Sequence, residues 1–187
     1  MTHPQGLTGL WLALSADWQA RGIGLRLRQP EDLPFLRDLY RSTRAEEVAA
    51  AGFDAFAAAV FLNSQFDLQC RHFDAHYVLG GQRLVITAQD QLIGRVELWA
   101  SEPEGLADLR IVDISLLPDW RGKGLGAALM AAVQQAAAAQ GRSVSLHVDK
   151  FNRAYRLYTR LGFRKAGDTG ASWRMEWRAG KLRKSRR

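Results

Sequence analysis

The stretch Pro118–Gln140, PDWRGKGLGAALMAAVQQAAAAQ, constrains this chain more than any other. Three glycines (Gly122, Gly124 and Gly126) are interleaved with Lys123 and Leu125 behind Arg121, and the chain then runs into alanine-rich sequence. Alanine is the strongest helix former and glycine among the weakest, so a loop must hand over to a helix here. The first turn of that helix leaves backbone N–H groups without partners, and glycines let another molecule approach them closely. A basic, glycine-dense helix start is therefore an anion site. The identity of the anion has to come from the rest of the chain.

The 187 residues are enough for one domain with a proper core, and 47% apolar residues with six tryptophans exclude a disordered chain. A lone cysteine, Cys70, rules out an internal disulfide framework and agrees with a cytoplasmic location. Its neighbours, DLQCRHF, suit a helix surface and an inert thiol. No apolar run is long enough to span a bilayer, so no membrane partner is expected. LTGLWLALSA has the small residues of a signal-peptide cleavage site but no basic leader, and a short amphipathic helix over Leu7–Ala20 is the expectation. The net charge of +7 belongs wholly to the sequence from Arg164 onward, which holds nine Lys/Arg against two Asp/Glu. The tail KLRKSRR could touch nucleic acid, but a solvated terminus explains it better and no nucleic-acid partner is expected.

The periodicity changes along the chain. GIGLRLRQP alternates Leu25 and Leu27 with Arg26 and Arg28, as a half-buried strand does. Leu33, Leu36, Leu39 and Tyr40 then share a helical face, with Pro34 in the first turn. A second helix begins near Gly52–Asp54, capped by Asp54, and Phe56, Val60, Phe66 and Phe73 are expected in the core. Leu84–Ala88 and Leu92–Trp99 form a hairpin, and Leu109–Leu117 a third apolar strand. After the glycine loop and its helix come the strand SVSLHVDK, the helix NRAYRLYTRLGF, and two strands in FRKAGD and SWRMEWR. This order predicts an α/β (α+β) fold with a mixed, mostly antiparallel central sheet, flanking helices and one crossover around the glycine loop. One domain is expected over residues 22–179, with an extension over 1–21 and a basic tail over 180–187.

Two anions can be weighed against the loop. A nucleoside triphosphate needs a lysine followed by Ser or Thr after the last glycine, and Ala127 and Ala128 stand there instead. Gly122-Lys123-Gly124-Leu125-Gly126-Ala127 has the glycine spacing of a dinucleotide fingerprint, with Asp149 about twenty residues on. Against it, Pro118-Asp119-Trp120-Arg121 separates the strand from the glycines, and only one further parallel strand follows.

The full stretch ISLLPDWRGKGLGAAL, with Arg121, Gly124 and Gly126 at their spacing, resembles the acyl-CoA signature of the GNAT superfamily of acetyl-CoA-dependent N-acetyltransferases. Downstream, Asn152, Ala154, Leu157, Tyr158, Gly162 and Phe163 match that superfamily's other core motif. The two matches stand in order, separated by a strand, and the resemblance extends over roughly Leu25 to Trp177. It implies that the anion is the pyrophosphate of acetyl-CoA, held by the N–H groups from Gly122 to Ala127 with charge from Arg121 and Lys123. It implies further that the pantetheine arm lies along the strand ending at Ser115–Leu117, where the Leu116 N–H polarises the thioester carbonyl.

The same resemblance makes Tyr158 the general acid for the departing thiolate, with Asn152 capping its helix and helping to hold the pantetheine arm. His147 falls at a strand position that supplies a base in some members; Asp113, acting through water, and Glu97 are the alternatives. Arg44, Glu46 and Glu47 are candidates for the amine acceptor site, although a solvated helix start explains them too. No metal and no covalent enzyme intermediate are expected, and a homodimer is left open. A non-catalytic acyl-CoA-binding or nucleic-acid-associated module is the rival reading, in which Tyr158 would not matter.

Overall fold

In the computed structural model, residues 14–77, 81–101 and 107–180 are described. Seven strands form one sheet in the order β1-β2-β3-β4-β5-β7-β6. They are β1 (Ile23–Leu27), β2 (Gly81–Ala88), β3 (Gln91–Ser101), β4 (Asp108–Leu116), β5 (Ser143–Asp149), β6 (Arg164–Asp168) and β7 (Ser172–Trp177). β4 and β5 are parallel, while β1–β2, β2–β3, β5–β7 and β6–β7 are antiparallel. The helices are α1 (Ala16–Ala20), α2 (Leu33–Ala50), α3 (Ala55–His76), α4 (Leu125–Ala139) and α5 (Ala154–Arg160). The parallel pair β4–β5 is bridged by α4, because parallel neighbours need a long crossover.

Local chemistry sets the joints. Gln89 and Asp90 both take left-handed backbone angles, giving the tight two-residue turn between β2 and β3. The Asp54 carboxylate accepts the Ala57 N–H at 2.8 Å and starts α3. Beyond α4, the Arg142 N–H bonds the Ala137 carbonyl and closes the helix.

The chain divides into two compact units. One comprises residues 15–99 and 112–126; the other, the described parts of 100–111 and 127–187. The core of the first gathers Leu36 and Leu39 of α2, Phe66 of α3 and Val85 of β2, with Leu33, Tyr40, Cys70 and Leu117 around them. In the second, Leu129, Met130 and Val133 of α4, Val144, Leu146 and Val148 of β5, Phe163 and Met175 are buried.

Three apolar residues expected inside are not. Leu27 is 50% exposed, leaving Ile23 as the buried residue of β1. Phe66 and Phe73 are buried with Leu62, whereas Phe56 and Val60 are 81% and 54% exposed. At 3.6 residues per turn, Phe56 and Val60 lie about 80–120° around α3 from Phe66, off the buried stripe. The expected helix over Leu7–Ala20 is seen as α1 alone, and residues 1–13, like the tail from Lys181, lie outside the described residues.

Candidate functional site

The glycine loop grows from the end of β4 within the first unit. The Leu117 N–H bonds the Ile93 carbonyl at 2.9 Å, a short 3-10 turn follows at Pro118–Trp120, and α4 opens at Leu125. β3 passes so close that a side chain on Gly94 would meet the Ser115 carbonyl at 2.5 Å and Leu116 Cδ2 at 2.8 Å. Arg121 does not reach outward as a free cation. Its Nε donates to the Leu116 carbonyl at 2.7 Å and its Nη2 to the Ser42 hydroxyl of α2 at 3.0 Å. Arg121 thus ties the end of β4 to α2, while Lys123 is exposed.

The three glycines are not equivalent. Gly122 and Gly124 have φ of 72° and 90°, which side-chain-bearing residues rarely adopt. Gly126 carries no such angle, lies in the first turn of α4, and a Cβ built on it would meet nothing within 4 Å. Glycine inside a helix costs about 1 kcal/mol relative to alanine, and no packing demand offsets that cost here. The space over Gly126 adjoins the start of α4, where the first N–H groups have no partner within the helix and could meet an anion.

Asp113, on the same strand as Leu116, is fully engaged. Arg95 Nε donates to its Oδ2 at 2.6 Å, and the Ser115 hydroxyl donates to the same oxygen at 2.9 Å. Arg95 is itself only 4% exposed and donates through Nη2 to Gln69 Oε1 of α3 at 2.9 Å. Glu97, equally buried, is 3.9 Å from Arg95; desolvation pushes its carboxyl above the ordinary range, with Arg95 opposing. Cys70 is half-buried, and burial pushes its thiol up, which keeps it the inert protonated form. Sequence reasoning missed Arg95 and Gln69 as partners of Asp113. The available signal was Arg95 and Glu97 in alternation inside an otherwise apolar strand.

The second unit carries His147, Asn152 and Tyr158. Asn152 Oδ1 accepts the N–H of Ala154, the first residue of α5, at 2.8 Å, with Arg153 at the N-cap position. Tyr158 is half-buried on α5, with its ring centroid 6.0 Å from that of Phe163. His147 is exposed on β5, and its Nδ1 lies 2.8 Å from Arg110 Nη2. Desolvation first, and then the Arg110 and Arg174 charges, hold its pKa below the usual histidine value. A guanidinium only donates, so Nδ1 is the acceptor and the neutral ring carries its proton on Nε2. The lone pair that a base would use is already engaged.

Arg44, Glu46 and Glu47 lie well inside α2 rather than at a helix start. Arg44 Nη1 bonds both carboxylate oxygens of Glu47 at 3.0 Å, and Glu46 is exposed. Among the described residues, no helix is long and apolar enough to cross a membrane.

Residues 80–165 match the family model of the acetyltransferase (GNAT) domain. A search of curated proteins finds no match. Among solved structures, the fold is similar to the PaiA N-acetyltransferase of Thermoplasma acidophilum in complex with coenzyme A. The identity is 20% and the TM-score 0.62, over 84% of this chain and 99% of that one. It is also similar to spermidine N-acetyltransferase from Vibrio cholerae in complex with CoA and spermine, at 22% identity and TM-score 0.56, covering 84% and 95%. Arabidopsis thaliana Naa50 in complex with a bisubstrate analogue gives 14% identity and TM-score 0.57, covering 84% and 99%. The open, mostly antiparallel sheet with its flanking helices is the acyl-CoA N-acyltransferase fold.

Proposed function

We propose that this protein moves the acetyl group of acetyl-CoA directly to a primary amine. The observation that carries the reading is Gly126, a helical glycine whose missing side chain no protein contact requires, placed behind the left-handed Gly122 and Gly124. The pyrophosphate of CoA is the proposed occupant of that space, with Lys123 supplying charge and Arg121 holding the loop to β4. The N-acetyltransferases among the similar folds, one of them bound to CoA and spermine, support an amine acceptor.

In the proposed reaction the neutral amine nitrogen attacks the thioester carbonyl carbon, whose oxygen takes up the negative charge. The Leu116 N–H stabilises that oxygen. The C–S bond then breaks, the thiolate takes its proton from Tyr158, and the amide nitrogen loses its extra proton to water. Neither His147 nor Asp113 is assigned that last proton, since Arg110 engages Nδ1 of the one and Arg95 with Ser115 the carboxylate of the other. Water then returns a proton to the Tyr158 phenolate.

Thiol release from acetyl-CoA across a panel of amines tests this. Wild type should turn over at least one amine, and Tyr158→Phe should lose about 10²–10⁴-fold in kcat with CoA affinity retained. Bound CoA without turnover on any amine would refute the enzyme reading and favour a non-catalytic acyl-CoA-binding module.

A further inference from the structure

The face of the second unit that carries His147 is unusual in what it offers to solvent. Arg110 of β4 donates through Nη2 to His147, but its Nε is buried with no hydrogen-bond partner. Among the described residues Arg110 makes no ion pair, although carboxylates lie on the strands around it. Asp108, two residues earlier on β4, accepts the Ser143 hydroxyl at 2.7 Å and the Ser145 hydroxyl at 2.5 Å. Glu176 of β7 accepts from Arg174 at 2.7 Å and pairs with Arg178 at 3.4 Å. Asp149, two residues beyond His147 on β5, is exposed and makes no ion pair with either arginine. Arg174 is the direct cross-strand neighbour of His147.

Because Arg110 occupies Nδ1, the imidazole presents an N–H outward at Nε2. The cluster thus combines the Nε2–H of His147, the orphaned Nε–H of Arg110 and the guanidinium of Arg174. All are donors. A buried donor left unpaired destabilises the fold, and a hydrogen-bonding oxyanion would relieve that cost. Guanidinium groups suit a planar carboxylate in particular.

We propose that Arg110, His147 and Arg174 form a carboxylate-binding site. Histidine is a donor here rather than a base, and the two arginines select the carboxylate.

The test uses the full chain and a series of ω-amino carboxylates from glycine to 6-aminohexanoate, each paired with the alkylamine of equal length. Without acetyl-CoA, the NMR titration of the His147 ring, assigned with His147→Gln, reads binding directly. A bound carboxylate offsets the repulsion from Arg110 and Arg174, so at least one amino carboxylate should raise the His147 pKa while its alkylamine does not. Arg110→Gln should raise that pKa with no ligand present and remove the response. No response to any amino carboxylate would overturn the site.

Discussion

Arg95 and Glu97 are two charges on one face of a buried strand, and their consequences are opposite. Arg95 satisfies Asp113 and Gln69 together, so Arg95→Met leaves the partly buried Asp113 and the buried Glu97 without a cation. A loss of about 3–5 kcal/mol is expected, read from the denaturant midpoint. Glu97 contributes differently. Burial raises its pKa above the ~4.3 of an unfolded chain, so its protonated form is the one the fold favours. Its contribution is therefore full below the unfolded pKa and is lost as pH rises through the folded one. Glu97→Gln keeps the shape and removes that loss. Its stability relative to wild type should climb between pH 4 and pH 8 in parallel denaturant titrations. A flat difference would contradict a buried, desolvated carboxyl. At this scale the sequence showed which residue types were present, and the motif singled out Tyr158 and Asn152 as candidates. What it could not show was that Asp113 and His147 have their proton-accepting atoms engaged. Those partners, Arg95 and Arg110, come from other parts of the chain.

Elements were easier to read where a local rule has no competitor. The hairpin needs two left-handed residues at Gln89 and Asp90, α3 needs its Asp54 cap, and α4 follows from alanine content. Inside–outside assignment on α3 failed at Phe56 and Val60 because apolar residues surround that helix and only packing selects the stripe. Gly94 is the element-scale residue most easily overlooked. Nothing distinguishes it within GRVELWA, yet β3 can approach the end of β4 only because it has no side chain. Gly94→Ala should destabilise the chain by about 1–3 kcal/mol and lower kcat/KM through the displaced Ser115–Leu116 backbone. Unchanged stability and turnover would show that the close approach is dispensable.

Across the whole molecule, the alternation of strand and helix periods was enough to anticipate a mixed sheet in which a parallel pair brackets the glycine loop. The acceptor was not readable at this scale. Arg44 and Glu47 engage each other, Glu46 is exposed, and a polar helix face leaves the same trace in sequence as a binding site. The central claim concerns the other substrate, and Gly126 isolates it. A side chain there has room in the protein, so Gly126→Val should fold, with thermal unfolding near that of wild type. Calorimetric titration with CoA is then the decisive measurement. Affinity falling at least a hundredfold in the folded variant is the predicted result. Affinity equal to wild type would mean that no phosphate of CoA lies over the start of α4.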